Sequence, residues 1–173
     1  MNKIQFYLCL VFVFYSTTGC SSQKMNEKDK ACNIIIHEYP KLMKKKGLEL
    51  TIVGSRIREN IDSITMGFVC EGSFDITSGR KLILDSVAQL ENFINSNDCL
   101  KNNLKNKRFN IEDYRLIVLF TSSDDDVVLP PSLSILSLID GEIRYSIYNV
   151  DRRCNYVIKT ESYYKIVESG EKH

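Results

Sequence analysis

The sequence predicts an α+β fold, with an antiparallel sheet of about five to six strands and two main helices packed on one face. Helix-like and strand-like segments alternate in the first half of the chain, strand-like segments dominate the second half, and a hairpin signal joins two of those strands. The length of 173 residues, with 43% hydrophobic and 26% charged residues, suits one globular domain with one buried core.

The domain is expected to begin with a helix and two strands. Apolar residues recur at helical spacing over residues 27–46, which predicts an amphipathic helix ending at three lysines and Gly47. Pro40 is expected to kink this helix or divide it in two, because its ring removes a hydrogen bond to the preceding turn. Alternating apolar residues over 48–53 and 63–70 predict two antiparallel strands, each with one buried face.

A second helix and the remaining strands follow. Residues 78–95 carry apolar side chains on one helical face, and Thr77 or Ser78 is expected to cap this helix. Asp140-Gly141 is a strong signal for a two-residue hairpin. The other predicted elements are a short helical turn over 98–105, a central strand over 114–121, hairpin strands over 133–139 and 142–149, and a tyrosine-rich last strand over 155–167.

The N-terminal segment has the layout of a secretory signal. Lys3 precedes an apolar run over residues 4–15, and small residues follow at 16–19. The run is too short for a transmembrane helix, which needs about twenty apolar residues. The predicted division of the chain is a signal peptide over 1–19, a polar lipidated tether over 20–30 and a single α+β domain over 31–173.

Residues 17–20, Thr-Thr-Gly-Cys, resemble the lipobox of bacterial lipoproteins. In that family the cysteine is lipidated and becomes the new N-terminus, so the resemblance implies lipidation of Cys20 and a membrane partner held through the N-terminal lipid. Ser21 and Ser22 are similar to the residues that follow this cysteine in outer-membrane lipoproteins. The expected location is therefore the bacterial cell envelope, with the outer membrane favoured over the inner membrane. The alternative is an ordinary cleaved signal, or an N-terminal hydrophobic helix, in which Cys9 and Cys20 are incidental.

Part of the domain, residues 47–111, resembles small predicted lipoproteins of unknown function. The matching positions are Gly47-Leu48, Gly54-Ser55, Phe93-Ile94-Asn95, Leu104 and Phe109. No activity comes with this resemblance.

The four cysteines of the domain are candidates for disulfides, because an exported domain lies in an oxidising compartment. The second helix separates Cys70 from Cys99, so we place these two at opposite ends of the sheet. Following the chain from end to end then predicts the pairs Cys32–Cys99 and Cys70–Cys154. The alternative is four buried, reduced thiols that act as small apolar side chains.

The sequence offers little for catalysis, metals or nucleic acids. Its two histidines are His37 and His173, the acidic run 124–126 lacks the spacing of a calcium loop, and no glycine pattern marks a phosphate site. Without residues 1–19 the chain has 22 basic and 22 acidic residues, and its one basic cluster, residues 44–46, indicates a solvated helix end. We predict no catalytic residue, no metal, no cofactor and no nucleic-acid partner.

The favoured hypothesis is therefore a non-enzymatic envelope lipoprotein that binds another protein or a cell-envelope component through its sheet face. Tyrosines concentrate in the last two strands, where they either pack the sheet or form a binding surface. Two alternatives stay open: a small hydrolase whose catalytic residues converge only on folding, and an inhibitor or immunity-type protein.

Overall fold

A computed structural model describes residues 26–124 and 126–170, and in them the α+β fold predicted from the sequence is confirmed. Its helices and strands are α1 (Glu27–Lys44), β1 (Leu48–Ile57), β2 (Ile61–Glu71), α2 (Ile76–Asn95), α3 (Asp98–Asn103), a 3-10 turn (Ile111–Asp113), β3 (Tyr114–Thr121), β4 (Ile135–Ile139), β5 (Glu142–Asn149), β6 (Cys154–Ser162) and α4 (Tyr163–Glu168). None of these helices is long and apolar enough to cross a membrane.

The six strands form one sheet in sequence order, from β1 at one edge to β6 at the other. Neighbouring strands are antiparallel except β2 and β3, which are parallel because α2 and α3 carry the chain back before β3 begins. We call the end of the sheet where β1 begins the Leu48 end, and the end where β2 begins the Ile61 end. The β5–β6 turn also lies at the Leu48 end.

The helices pack on one face of this sheet and bury it. Tyr39 of α1 contacts Phe68 of β2, and Gly79 of α2 lies so close to Leu133 that a Cβ there would stand 2.8 Å from its Cδ1 atom. Phe68 pairs in register with Val118, which pairs with Leu136, so one row of core residues crosses three strands. The core therefore lies between this face and the helical layer.

The two long helices differ from expectation in their details. Pro40 lies inside α1 and does not divide it, since the helix runs unbroken from Glu27 to Lys44. At the start of α2 the cap is Asp75, not Thr77 or Ser78. The Asp75 carboxylate accepts a hydrogen bond from the Ser78 backbone N–H at 2.8 Å, and the Ser78 hydroxyl reaches back to the Asp75 backbone, which forms a capping box.

The second half of the chain follows the predicted strands up to its last segment. Asp140 and Gly141 both have positive φ angles, as a two-residue hairpin requires, and β5 has the predicted bounds. The strand expected over 155–167 ends at Ser162, because the Tyr163 N–H donates to the carbonyl of Gly141 and α4 begins there. Ile166 of α4 is buried.

Candidate functional site

On the face of the sheet away from the helices, a line of side chains crosses five strands and is apolar on four of them; we call these four residues the apolar row. Its members are Val69, Leu119, Ile135 and Val157. Val69, Leu119 and Ile135 are register partners on neighbouring strands, and Ser146 of β5 pairs with both Ile135 and Val157. Successive residues of a strand point to opposite faces, so Val69 and Leu119 point away from the core. The first three are partly exposed and Val157 is 52% exposed.

The apolar row ends in an exposed edge strand. Among the described residues, β5 alone pairs with β6, so the other side of β6 presents backbone groups that no described strand pairs. A bulge in the register leaves Ile158 without a partner and places it beside Val157, opposite Ser146. Tyr156, Val157 and Ile158 are each at least 42% exposed. We call these three residues the β6 edge surface.

The other edge of the sheet is β1, which has a helix beside it and carries both charged and apolar exposed residues. Helix α1 packs against β1, and the exposed part of β1 carries the charged residues Glu49 and Arg56. Two register shifts also interrupt β1. Charges and bulges are the usual means by which sheet edges avoid unwanted pairing. Ile52, Val53 and Ile57 of β1 are also exposed, so the main difference between the two edges is that α1 packs against β1.

An ion pair fastens β6 to the helical layer. Arg80 of α2 donates from Nε to Oε2 of Glu161 at 3.0 Å, and the Tyr145 hydroxyl donates to the same oxygen at 2.7 Å. Burial alone would raise the pKa of Glu161, but hydrogen bonds from Lys159, Tyr145 and Arg80 outweigh it and lower that pKa. Glu161 is therefore ionised near neutral pH, so it positions the strand and is a poor proton donor.

A groove of about 480 Å³ lies beside this ion pair, between α2 and α4. Its apolar lining includes Leu84, Ala88, Tyr163 and Val167, and charged residues of α2 flank it. Burial raises the pKa of Tyr163, so its hydroxyl stays protonated. Besides this neutral phenol and the aliphatic carbons, the lining includes the capping pair of α2, in which the Ser78 hydroxyl donates to the Asp75 carboxylate at 2.6 Å.

The four domain cysteines are free thiols in the structure. Cys70 and Cys154 lie at the same end of the sheet, as predicted, but on β2 and β6. Four strand spacings of about 4.8 Å separate these strands, so the structure does not bring this pair together. Cys32 and Cys99 lie on α1 and α3, which pack against each other, and this pair stays a prediction.

The structure places the other residues considered for chemistry apart from one another. His37 is exposed on α1, and Asp124 and Asp126 lie in an exposed loop. In the described ranges no group of three or more His, Cys, Asp or Glu side chains is arranged to hold a metal ion. Cys20, Asp125 and His173 lie outside the described residues.

The tyrosines divide between packing and exposure. Tyr145 is fully buried, whereas Tyr156 and Tyr164 are more than 40% exposed. Sequence reasoning did not single out Val157 and Ile158. A signal for them was present, since three consecutive large apolar residues in a terminal strand cannot all point into a core.

These features define the class of the protein as a small α+β domain whose sheet is covered on one face and partly apolar on the other. No protein-family model, curated protein or solved structure matches the chain.

Proposed function

We propose that this protein is a lipid-anchored component of the bacterial envelope that acts by binding a partner protein, without catalysis. The observation that carries the binding proposal is the apolar row, which crosses the uncovered face and ends in the β6 edge surface. The anchor rests on the lipobox-like residues 17–20, with Cys20 as the lipidated residue.

The β6 edge surface suits the addition of a strand from a partner. Its unpaired backbone groups supply hydrogen bonds, and the side chains of Tyr156, Val157 and Ile158 supply apolar contacts. Large exposed apolar side chains next to one another are typical of interaction sites. Because the Arg80–Glu161 ion pair fixes β6 to α2, the strand is held in place before a partner arrives.

The proposal is tested by substituting Val157 and comparing capture of an envelope partner. Val157→Lys places a charge in the apolar row, and Thr160→Lys is the matched control because Thr160 is an exposed polar residue of the same strand. Lipidated protein from the native host is crosslinked in its own envelope and the captured proteins are quantified by mass spectrometry. We expect wild type and Thr160→Lys to capture the same protein and Val157→Lys to lose it.

Two results would overturn this function. Equal capture by Val157→Lys and wild type removes the apolar row from the binding site. An unmodified Cys20 in the intact mass, with no loss of membrane partition in Cys20→Ala, removes the lipid anchor.

A further inference from the structure

Two basic clusters lie at opposite ends of the domain. Lys44, Lys45 and Lys46 close α1 at the Leu48 end of the sheet. The second cluster, which we call the basic loop, is residues 105–108, with Lys105, Lys107 and Arg108 exposed. It lies at the Ile61 end, because the backbone N–H of Lys105 donates to the carbonyl of Ile61 at 3.3 Å.

The N-terminus of α1 lies at the same end as the basic loop. Lys28, in the first turn of α1, donates from Nζ to the carbonyl of Arg58 at 3.2 Å, and Arg58 is in the turn between β1 and β2. A chain that enters the domain at Asn26 therefore enters at the Ile61 end. The tether and the basic loop share one end of the molecule.

The length of the tether decides which basic cluster can face a membrane. This step rests on the proposed lipid anchor at Cys20. From Cys20 to Asn26 a fully extended chain reaches at most about 20 Å. Helix α1 has 18 residues and is about 27 Å long, so it carries the lysines at 44–46 further from Asn26 than the tether can span. An upright domain can rest on the bilayer only with its Ile61 end.

The charges of the basic loop are largely unneutralised. Lys105 lies near Asp113, whose carboxylate also accepts a hydrogen bond from the Asn106 amide. Lys107 and Arg108 take part in no ion pair with any described residue. Arg56 near the end of β1 and Arg58 of the adjacent β1–β2 turn are paired with Asp62. The loop therefore presents net positive charge that suits the phosphates of anionic lipid headgroups.

We propose that the basic loop binds the anionic headgroups of the membrane that holds the lipid, so that the domain stands on its Ile61 end. Lys105, Lys107 and Arg108 make the contact, and the lysines at 44–46 point away from the bilayer. Each basic residue near an anionic surface strengthens the contact about fivefold. In this orientation the strands run roughly perpendicular to the membrane surface, and the β6 edge surface faces parallel to it, toward neighbouring proteins.

The test measures the distance of each end of the domain from the bilayer. Lipidated full-length protein, with the lipid at Cys20 verified by intact mass, is reconstituted into vesicles containing phosphatidylglycerol. A fluorophore is placed at residue 59, in the β1–β2 turn, or at residue 151, in the β5–β6 turn. Both sites are exposed acidic residues, so the label removes the same charge. Headgroup-labelled nitroxide lipids then quench whichever fluorophore lies close.

We expect quenching at residue 59 to exceed that at residue 151 several-fold. The triple substitution Lys105→Glu, Lys107→Glu and Arg108→Glu should reduce this difference, as should vesicles of phosphatidylcholine alone, and the short tether accounts for the difference that remains. The matched reversal of the three lysines at 44–46 should leave the difference intact.

Equal quenching at both labels, stronger quenching at residue 151, or an effect of the control reversal equal to that of the loop reversal would overturn the orientation. Each of these results is obtained on protein already shown to carry the lipid, so it leaves the anchor standing. Absence of lipid at Cys20 would instead overturn the proposed function.

Discussion

Replacement by phenylalanine is expected to have opposite effects on stability at two buried tyrosines, Tyr39 and Tyr114. The Tyr39 hydroxyl donates to the backbone carbonyl of Ser86 at 2.9 Å, and the residue is fully buried. The Tyr114 hydroxyl is buried as well, but it has no hydrogen-bond partner among the described residues. Replacement of each tyrosine by phenylalanine removes one oxygen and keeps the ring, so the two variants isolate the value of a satisfied and an unsatisfied hydroxyl.

Tyr39→Phe should lower the free energy of unfolding by about 1 kcal/mol, the net worth of one buried hydrogen bond. Tyr114→Phe should raise it by about 1 kcal/mol, because burial of an unpaired hydroxyl costs about 1 to 3 kcal/mol and the variant avoids that cost. Urea unfolding measures both, and a combined difference of about 2 kcal/mol separates the two midpoints by about 1 M for a domain of this size. Shifts of equal sign in the two variants would refute the hydrogen-bond assignment.

The same pair predicts a dependence on alkaline pH. Burial raises the pKa of both phenols above their ordinary value of 10.0. A raised pKa in the folded state stabilises the protein fully below pH 10 and loses that contribution as the pH rises further. The stability deficit of Tyr39→Phe should therefore shrink above pH 10, and the advantage of Tyr114→Phe should grow.

Two further predictions concern the edge strand and the thiols. Glu161→Gln should lower the free energy of unfolding by about 1 to 2 kcal/mol at neutral pH, since it removes charged hydrogen bonds to Arg80. Because the pKa of Glu161 is lowered below 4.5, its contribution is present above that value and is lost as the pH falls, so wild type and variant should converge in acid unfolding curves. For the thiols, alkylation followed by peptide mass spectrometry should modify exposed Cys154 first and buried Cys32 and Cys70 slowly, because burial raises the pKa of both buried thiols. Equal rates at all three thiols would contradict this burial pattern.

Local patterns in the sequence predicted most of the elements, because those patterns depend on neighbours along the chain. The strand Tyr114–Thr121 has the predicted bounds, and the hairpin at Asp140-Gly141 follows from the positive φ angles that these residues tolerate. The cap of α2, Asp75, lies two to three residues before the predicted positions. Asp75 precedes the apolar periodicity, but its reciprocal bond with Ser78 and the hydrogen bond from the Gly79 N–H to its carbonyl show that the helix already begins there.

The order of the strands across the sheet could not be predicted from the sequence. Alternation of strand direction placed Cys70 and Cys154 at the correct end, but it carries no information on how many strands lie between them. The β6 edge surface was missed for a similar reason. The bulge that places Ile158 beside Val157 depends on the register with β5, and an alternating pattern read from one strand cannot show a register shift.

The parallel pairing of β2 with β3 has a consequence for how the chain folds. Every other strand pair is joined by a connection of at most 13 residues, whereas 42 residues separate β2 from β3. Closing that loop costs about 2 kcal/mol more chain entropy than closing the three-residue turn between β1 and β2. The unit of α1, β1 and β2 and the meander from β3 to β6 can each form from local contacts. The slow step is then the formation of the parallel β2–β3 pairing, which joins these two units into a single sheet. In this pairing Phe68 and Val69 lie beside Val118 and Leu119.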